Sequence, residues 1–191
     1  KSFGLFALSI FALVLVMGLG SAATIFSDSF TDTALTGWTI NPANNWTHNA
    51  GNYTQSNNTD ANSILERTIS TSSSQSIIVK YDRKLGVNWD STDKFKVSWS
   101  TDSVNFNTLE EVIGNLIDTL PNDTAFVSKT FNLPSSANNN ANFKLRFECN
   151  TNAATEFCNV DNVIVEGTPL TTLTDTAICA YSGGVSTNNG D

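Results

Sequence analysis

From Ala23 onward, apolar and polar residues alternate with the two-residue period of β-strands. Phe143, Leu145, Phe147 and Cys149 alternate with Lys144, Arg146 and Glu148, and Phe95, Val97 and Trp99 alternate with Lys96, Ser98 and Ser100. The same pattern predicts strands over Ile25–Phe30, Trp38–Ile40, Ile64–Ile69, Ser76–Leu85, Thr108–Val112, Phe126–Leu133 and Val160–Glu166. Polar turns such as Ser100-Thr-Asp-Ser103 and the run Pro134–Asn140 separate them. Leu109–Leu120 is the one helix-like stretch, and Gly114 with its β-branched neighbours argues against a helix there. Many short strands with no alternating helices imply an all-β fold, a two-sheet antiparallel sandwich.

Residues 1–23 follow a different pattern. Lys1 leads into the apolar run Phe3–Leu19, followed by Gly20-Ser-Ala-Ala23, the layout of a secretory signal peptide with a small-residue cleavage site. As a helix it would precede the sandwich, and it is the chain's one route to a membrane, if left uncleaved. The expected organisation is therefore a leader over 1–23, a β-domain over 24–167 and a tail over 168–191. That tail opens like a linker and reads as a linker or as the start of a truncated following domain.

An extracellular address changes how the remaining chemistry is read. The formal net charge is −8, with Asn, Ser and Thr abundant, which argues against nucleic acid as a partner. Cys149 and Cys158 flank Asn150–Phe157, read as the connection between two antiparallel strands, and in an oxidising compartment they form a natural disulfide. Cys179 is left over, as expected if its partner lies further along a longer reading frame. Sequons at Asn45, Asn52, Asn57 and Asn122 are candidate glycosylation sites.

The order of motifs resembles the jelly-roll modules of secreted proteins, a group spanning MAM-like, galactose-binding-like and carbohydrate-binding sandwiches. Phe26-Ser-Asp-Ser-Phe30 with Gly37-Trp38 resembles their opening, and Phe95–Asp102 with Phe106–Leu109 resembles their central hairpin. Phe143–Glu148 and Val160–Val165 resemble their final strand pair. The resemblance runs from Thr24 to Gly167 and implies a jelly roll. It also implies a structural Ca²⁺ where first and last strands meet, at Asp28 and Asp161 with Asn162 nearby. Two carboxylates would need carbonyls and Asn side chains to complete a shell of six to eight oxygens. In the competing reading, Asp28 caps a turn and Asp161 with Asn162 satisfies a bulge in the closing strand.

Catalysis finds little footing. His48 is the sole histidine and has no nucleophile motif near it, so it reads as a loop histidine. Paired carboxylates exist in Glu110 with Glu111 and Asp90 with Asp93, yet adjacent acids on a strand point to opposite faces. No residue is assigned a catalytic role. Sugar binding needs an exposed ring and fixed polar groups. Trp38 and Trp99 read as core. Trp89 beside Asp90 and Asp93, and Trp46 joined by Tyr53, are the candidate platforms, against the alternative that each ring folds over a sheet edge.

The sequence thus predicts a secreted or cell-surface, non-catalytic module whose partner is an extracellular glycan or a surface protein. A stalk or surface-layer domain that binds nothing small is the second reading. An accessory module of a secreted hydrolase with its catalytic domain elsewhere is the third.

Overall fold

A computed structural model describes residues 20–56, 62–115, 123–153 and 155–170. All but the end of the expected leader, Cys179, the sequons at Asn57 and Asn122, and the tail beyond 170 lie outside the described residues. Among the described residues no helix is long and apolar enough to cross a membrane.

The described chain forms eleven strands: β1 (Ala23–Asp28), β2 (Thr39–Asn41), β3 (Trp46–Asn49), β4 (Tyr53–Ser56), β5 (Ser63–Ile69), β6 (Ser74–Leu85), β7 (Lys94–Ser100), β8 (Asn107–Ile113), β9 (Val127–Asn132), β10 (Phe143–Asn150) and β11 (Cys158–Pro169). They build a two-sheet antiparallel jelly-roll sandwich, as the alternation and the resemblance predict. One sheet has the order β3-β4-β11-β6-β9, with β1 also paired to β11; the other has the order β2-β5-β10-β7-β8. The stretch that carried a helix-like signal is strand as far as Ile113.

Period-2 burial creates the core. Ile77, Val79, Tyr81 and Leu85 point inward from β6, Phe143, Leu145 and Phe147 from β10, and Phe95, Val97 and Trp99 from β7. Trp38 packs on Phe30 and Phe147 at ring-centroid distances of 5.7 and 6.1 Å. In β11 the alternation slips: Val160 and Val163 are both buried, separated by two residues instead of one. A bulge between Asp161 and Ile164 absorbs the extra residue, with Asn162 in the left-handed region at φ 49°.

Two features differ from expectation. The polar stretch around Trp46 and Tyr53 is not a loop but the hairpin β3-β4, paired from Trp46–Ser56 to Asn49–Tyr53. The disulfide Cys149–Cys158 is present, but β10 and β11 belong to different sheets, so it staples the two layers together. Its loop carries the chain from one sheet to the other.

Candidate functional site

The two long sides of the sandwich are finished differently. Where β8 faces β9, an ion-pair network seals the gap. Glu110 accepts from Tyr81 Oη at 2.6 Å and from Arg83 Nε at 3.0 Å, and Lys129 Nζ lies 2.9 Å from it. Arg83 also donates to Asp123, whose Oδ2 takes the Leu85 N–H at 2.9 Å. Burial alone would raise the Glu110 carboxyl, but these hydrogen bonds and the Arg83 charge outweigh it and hold it below the usual range. Glu111 points the other way, 3.9 Å from Lys94, as the strand period requires.

On the opposite side, β2 and β3 are the sheet edges, and no such network joins them among the described residues. A shallow, open groove of about 630 Å³ lies there. Thr33, Leu35, Ile40, Trp46, Thr47, His48 and Ala50 line it. Leu35 and Ile40 are also packed on the core, so the groove's apolar wall is rigidly backed. The β3 alternation turns Trp46 and His48 inward. Trp46 Nε1 and His48 Nε2 are both buried without a hydrogen-bond partner, as is Nδ2 of neighbouring Asn45. Such atoms are not confined to this edge: Trp89 Nε1, Asp93 Oδ1 and the hydroxyls of Ser56, Ser63 and Ser98 are buried without a protein partner as well. The lining contains hydroxyls, an indole, an imidazole and aliphatic surface, with no Asp, Glu, Lys or Arg.

Most of the sequence-predicted ligand residues lie elsewhere. Trp89 is 0% exposed and Trp46 1%, so neither ring stands out as a stacking platform, and both follow the alternative in which the ring folds back over the sheet. The cause is that the loop after β6 folds down onto the core instead of standing out in solvent. Gly114 permits this approach, since a Cβ there would sit 2.0 Å from the Asp90 carbonyl oxygen. Tyr53 does not join Trp46. It faces the outer surface of its sheet, half-buried, edge-on to Phe126 at 5.5 Å.

Asp90 and Asp93 are brought together as structural acids. Asp93 is buried and its Oδ2 accepts the Asp90 N–H at 2.7 Å, while Asp90 holds Thr92 and Asn152. Those hydrogen bonds from Thr92 and Asn152 hold the Asp90 carboxyl low. Burial, reinforced by the charges of Glu156 and Asp90, pushes the Asp93 carboxyl up to about 6. A carboxyl raised in the folded state contributes stability that is complete below its unfolded pKa of about 4 and is lost as pH rises through about 6. Asp93→Asn is therefore expected to stabilise the protein by about 2 kcal/mol at pH 7.5 and by almost nothing at pH 4. Urea denaturation of both proteins at the two pH values checks this.

The trio expected at the meeting of first and last strands, Asp28, Asp161 and Asn162, is brought close together, and each member takes part in hydrogen bonds. Asp28 lies opposite Val163; its Oδ1 accepts the Phe30 N–H and its Oδ2 the Trp38 Nε1–H, each at 2.8 Å. Asp161 accepts the Asn162 N–H at 2.7 Å, and Asn162 Nδ2 donates to Asp82 at 2.8 Å across the bulge. Burial and the charges of Asp82 and Asp28 raise the Asp161 carboxyl. Among the described residues no group of three His, Cys, Asp or Glu side chains is placed to hold a metal ion. Of the described sequons, Asn52 is exposed at the β3-β4 hairpin tip and Asn45 is half-buried.

Thr33, Leu35, Ile40, Thr47, His48 and Ala50 were not legible as site residues. The signal that could have found them is the inward pair Trp46 and His48 across Thr47, a strand period within a polar run.

No protein-family model matches the chain, and no curated protein does. Solved structures share its fold. The K3 cleaved adhesin domain of Lys-gingipain from Porphyromonas gingivalis W83 superposes with a TM-score of 0.53 at 17% identity, over 76% of this chain and 99% of that one. The K1 cleaved adhesin domain from the same organism does so with a TM-score of 0.51 at 14% identity, over 78% and 99%. At these identities the likeness establishes a shared β-sandwich architecture.

Proposed function

We propose that this chain is a secreted or cell-surface recognition module, non-catalytic, that holds a glycan in the groove between β2 and β3. The observation that carries this reading is the open edge itself: one side of the sandwich is sealed by paired charges, while the other keeps an uncharged groove lined by hydroxyls and aliphatic side chains. Sugars present hydroxyls on one aspect and C–H surface on another. The groove pairs Thr33, Thr47 and His48 with Leu35 and Ile40 in matching fashion. The shared fold with adhesin domains supports an adhesive or binding role outside the cell.

Binding to a panel of soluble polysaccharides tests this, with Ala50→Trp as the blocking variant. Ala50 is exposed at the hairpin tip and lines the groove, so a bulky ring there obstructs it without disturbing the core. Saturable binding that weakens at least about tenfold in Ala50→Trp is the expected result, equivalent to about 1.4 kcal/mol. No binding to any polysaccharide would turn the reading to a stalk that presents other domains.

A further inference from the structure

The structure assigns Asn52, and not Asn45, as the residue that carries an N-linked oligosaccharide when the chain is exported through a compartment that transfers one. Both asparagines head an acceptor tripeptide, Asn45-Trp46-Thr47 and Asn52-Tyr53-Thr54, and the sequence treats them alike. The fold separates them. Ala50, Gly51 and Asn52 form the tip between β3 and β4. Asn52 N–H donates to the Asn49 carbonyl at 2.9 Å, and Gly51 N–H donates to Asn49 Oδ1 at 3.1 Å. The turn is thus held by backbone and by Asn49, and the Asn52 side chain has no part in it. Asn52 lies in the left-handed region at φ 60°, a conformation that Asn tolerates better than most residues. Its side chain is exposed and makes no hydrogen bond among the described residues.

Transfer joins the side-chain nitrogen to the anomeric carbon of an oligosaccharide carried on a lipid phosphate. The bond from that carbon to the phosphate oxygen breaks, the lipid phosphate leaves with the electron pair, and the nitrogen gives up one proton. The product holds a sugar ring bonded directly to Nδ2, so that atom has to face solvent in the folded protein. Asn52, exposed at the tip, meets this condition. Asn45 does not, because its Nδ2 is buried at the entry to β3, immediately before the core residue Trp46. A sugar there would displace protein atoms and open the strand. Thr54 sets the timing. It is fully buried, and its hydroxyl donates to the Thr47 carbonyl at 3.3 Å. The acceptor signal needs that hydroxyl as well as the amide, and pairing of β3 with β4 puts it out of reach. Transfer therefore precedes folding, both asparagines are then open to it, and folding rejects the chains modified at Asn45.

The test directs the full chain through the secretory pathway of yeast and collects the folded, secreted protein. Peptide mapping by mass spectrometry then reads the sugar at each asparagine separately. A glycan on Asn52 with Asn45 bare is the expected result. Asn52→Asp removes the acceptor nitrogen and keeps a residue that tolerates the left-handed turn. That variant should lose the Asn52 glycan and still be secreted, unfolding at the same temperature as wild-type protein stripped of its sugar. A glycan on Asn45 of folded, secreted protein overturns the inference, because that amide would then stand free of the fold. A bare Asn52 overturns it as well, whatever the state of the sequons at Asn57 and Asn122. Neither result touches the glycan-binding reading, which the polysaccharide panel and Ala50→Trp decide separately.

Discussion

Trp89→Ala is expected to cost about 3–5 kcal/mol of stability, the range for truncating a large buried aromatic. The ring is fully buried and belongs to the core cluster. Its loop is locked from two sides: Asn115 N–H donates to the Trp89 carbonyl at 3.2 Å and Gly114 N–H to the Asp93 carbonyl at 3.1 Å. On the far side, Gly86 N–H donates to the Phe157 carbonyl at 2.8 Å, and Asn152 Nδ2 reaches Asp90 at 3.2 Å. Removing the indole leaves a cavity that these clamps prevent from collapsing, which places the loss toward the upper end. Urea denaturation of the variant measures it. A loss under about 1 kcal/mol, the range of surface substitutions and mild repacking, would mean that Trp89 stands at the surface as a ligand platform.

Arg83→Met is expected to cost a similar amount, about 3–5 kcal/mol at pH 7. Methionine retains the apolar stem but removes the guanidinium from two carboxylates, Glu110 and Asp123. Glu110 keeps Lys129 and the Tyr81 hydroxyl, whereas Asp123 keeps the Leu85 N–H. In the wild-type protein Glu110 titrates below its ordinary value. Its contribution is therefore present above the unfolded pKa of about 4.3 and is lost only as pH falls through the lower folded value. Without Arg83, its charge and its hydrogen bond no longer hold the Glu110 carboxyl down, so Glu110 protonates more readily than in the wild type. The gap between variant and wild type should accordingly narrow as pH falls from 7 to 4. A gap that stays constant with pH would mean the loss comes from packing and not from charge.

The fold was readable because alternation is a local signal. Phe143–Cys149 and Phe95–Ser100 declare their inward faces residue by residue, and both strands lie where the period puts them. Burial of Trp38 and Trp99 followed from the same logic. What local pattern could not express was which strands pair. Cys149 and Cys158 are nine residues apart, yet they lie in different sheets, because the intervening loop climbs from one layer to the other. The hairpin β3-β4 went unseen since its outward positions, Thr47, Asn49, Tyr53 and Gln55, are polar or amphipathic and its inward Thr54 and Ser56 are polar as well. Composition there resembles a loop, and only pairing to Cys158–Val160 of β11 makes it a sheet edge. Trp89 was misjudged for a related reason. Polar neighbours such as Asn88 and Asp90 describe the loop's solvent side, while the close approach allowed by Gly114, 25 residues further on, decides where the ring goes.

The candidate site was half legible. Trp46 was singled out, but as an exposed platform, whereas it is the groove's buried wall; His48 was set aside as a loop residue, whereas it shares that wall. Both errors come from one missing fact, that β3 faces β2 across an open edge. The asymmetry between a charged, closed side and an uncharged, grooved side exists only in three dimensions.

The most direct test of the account is to locate the bound glycan by amide chemical-shift mapping of the isotopically labelled full chain, titrated with the polysaccharide fragment that binds best. The account predicts perturbations concentrated at Thr33, Leu35, Ile40, Thr47, His48 and Ala50, saturating together with one affinity. Perturbations centred instead on the outer face of either sheet, at Tyr53 with Phe126 or at Phe106 beneath Arg146, would contradict it.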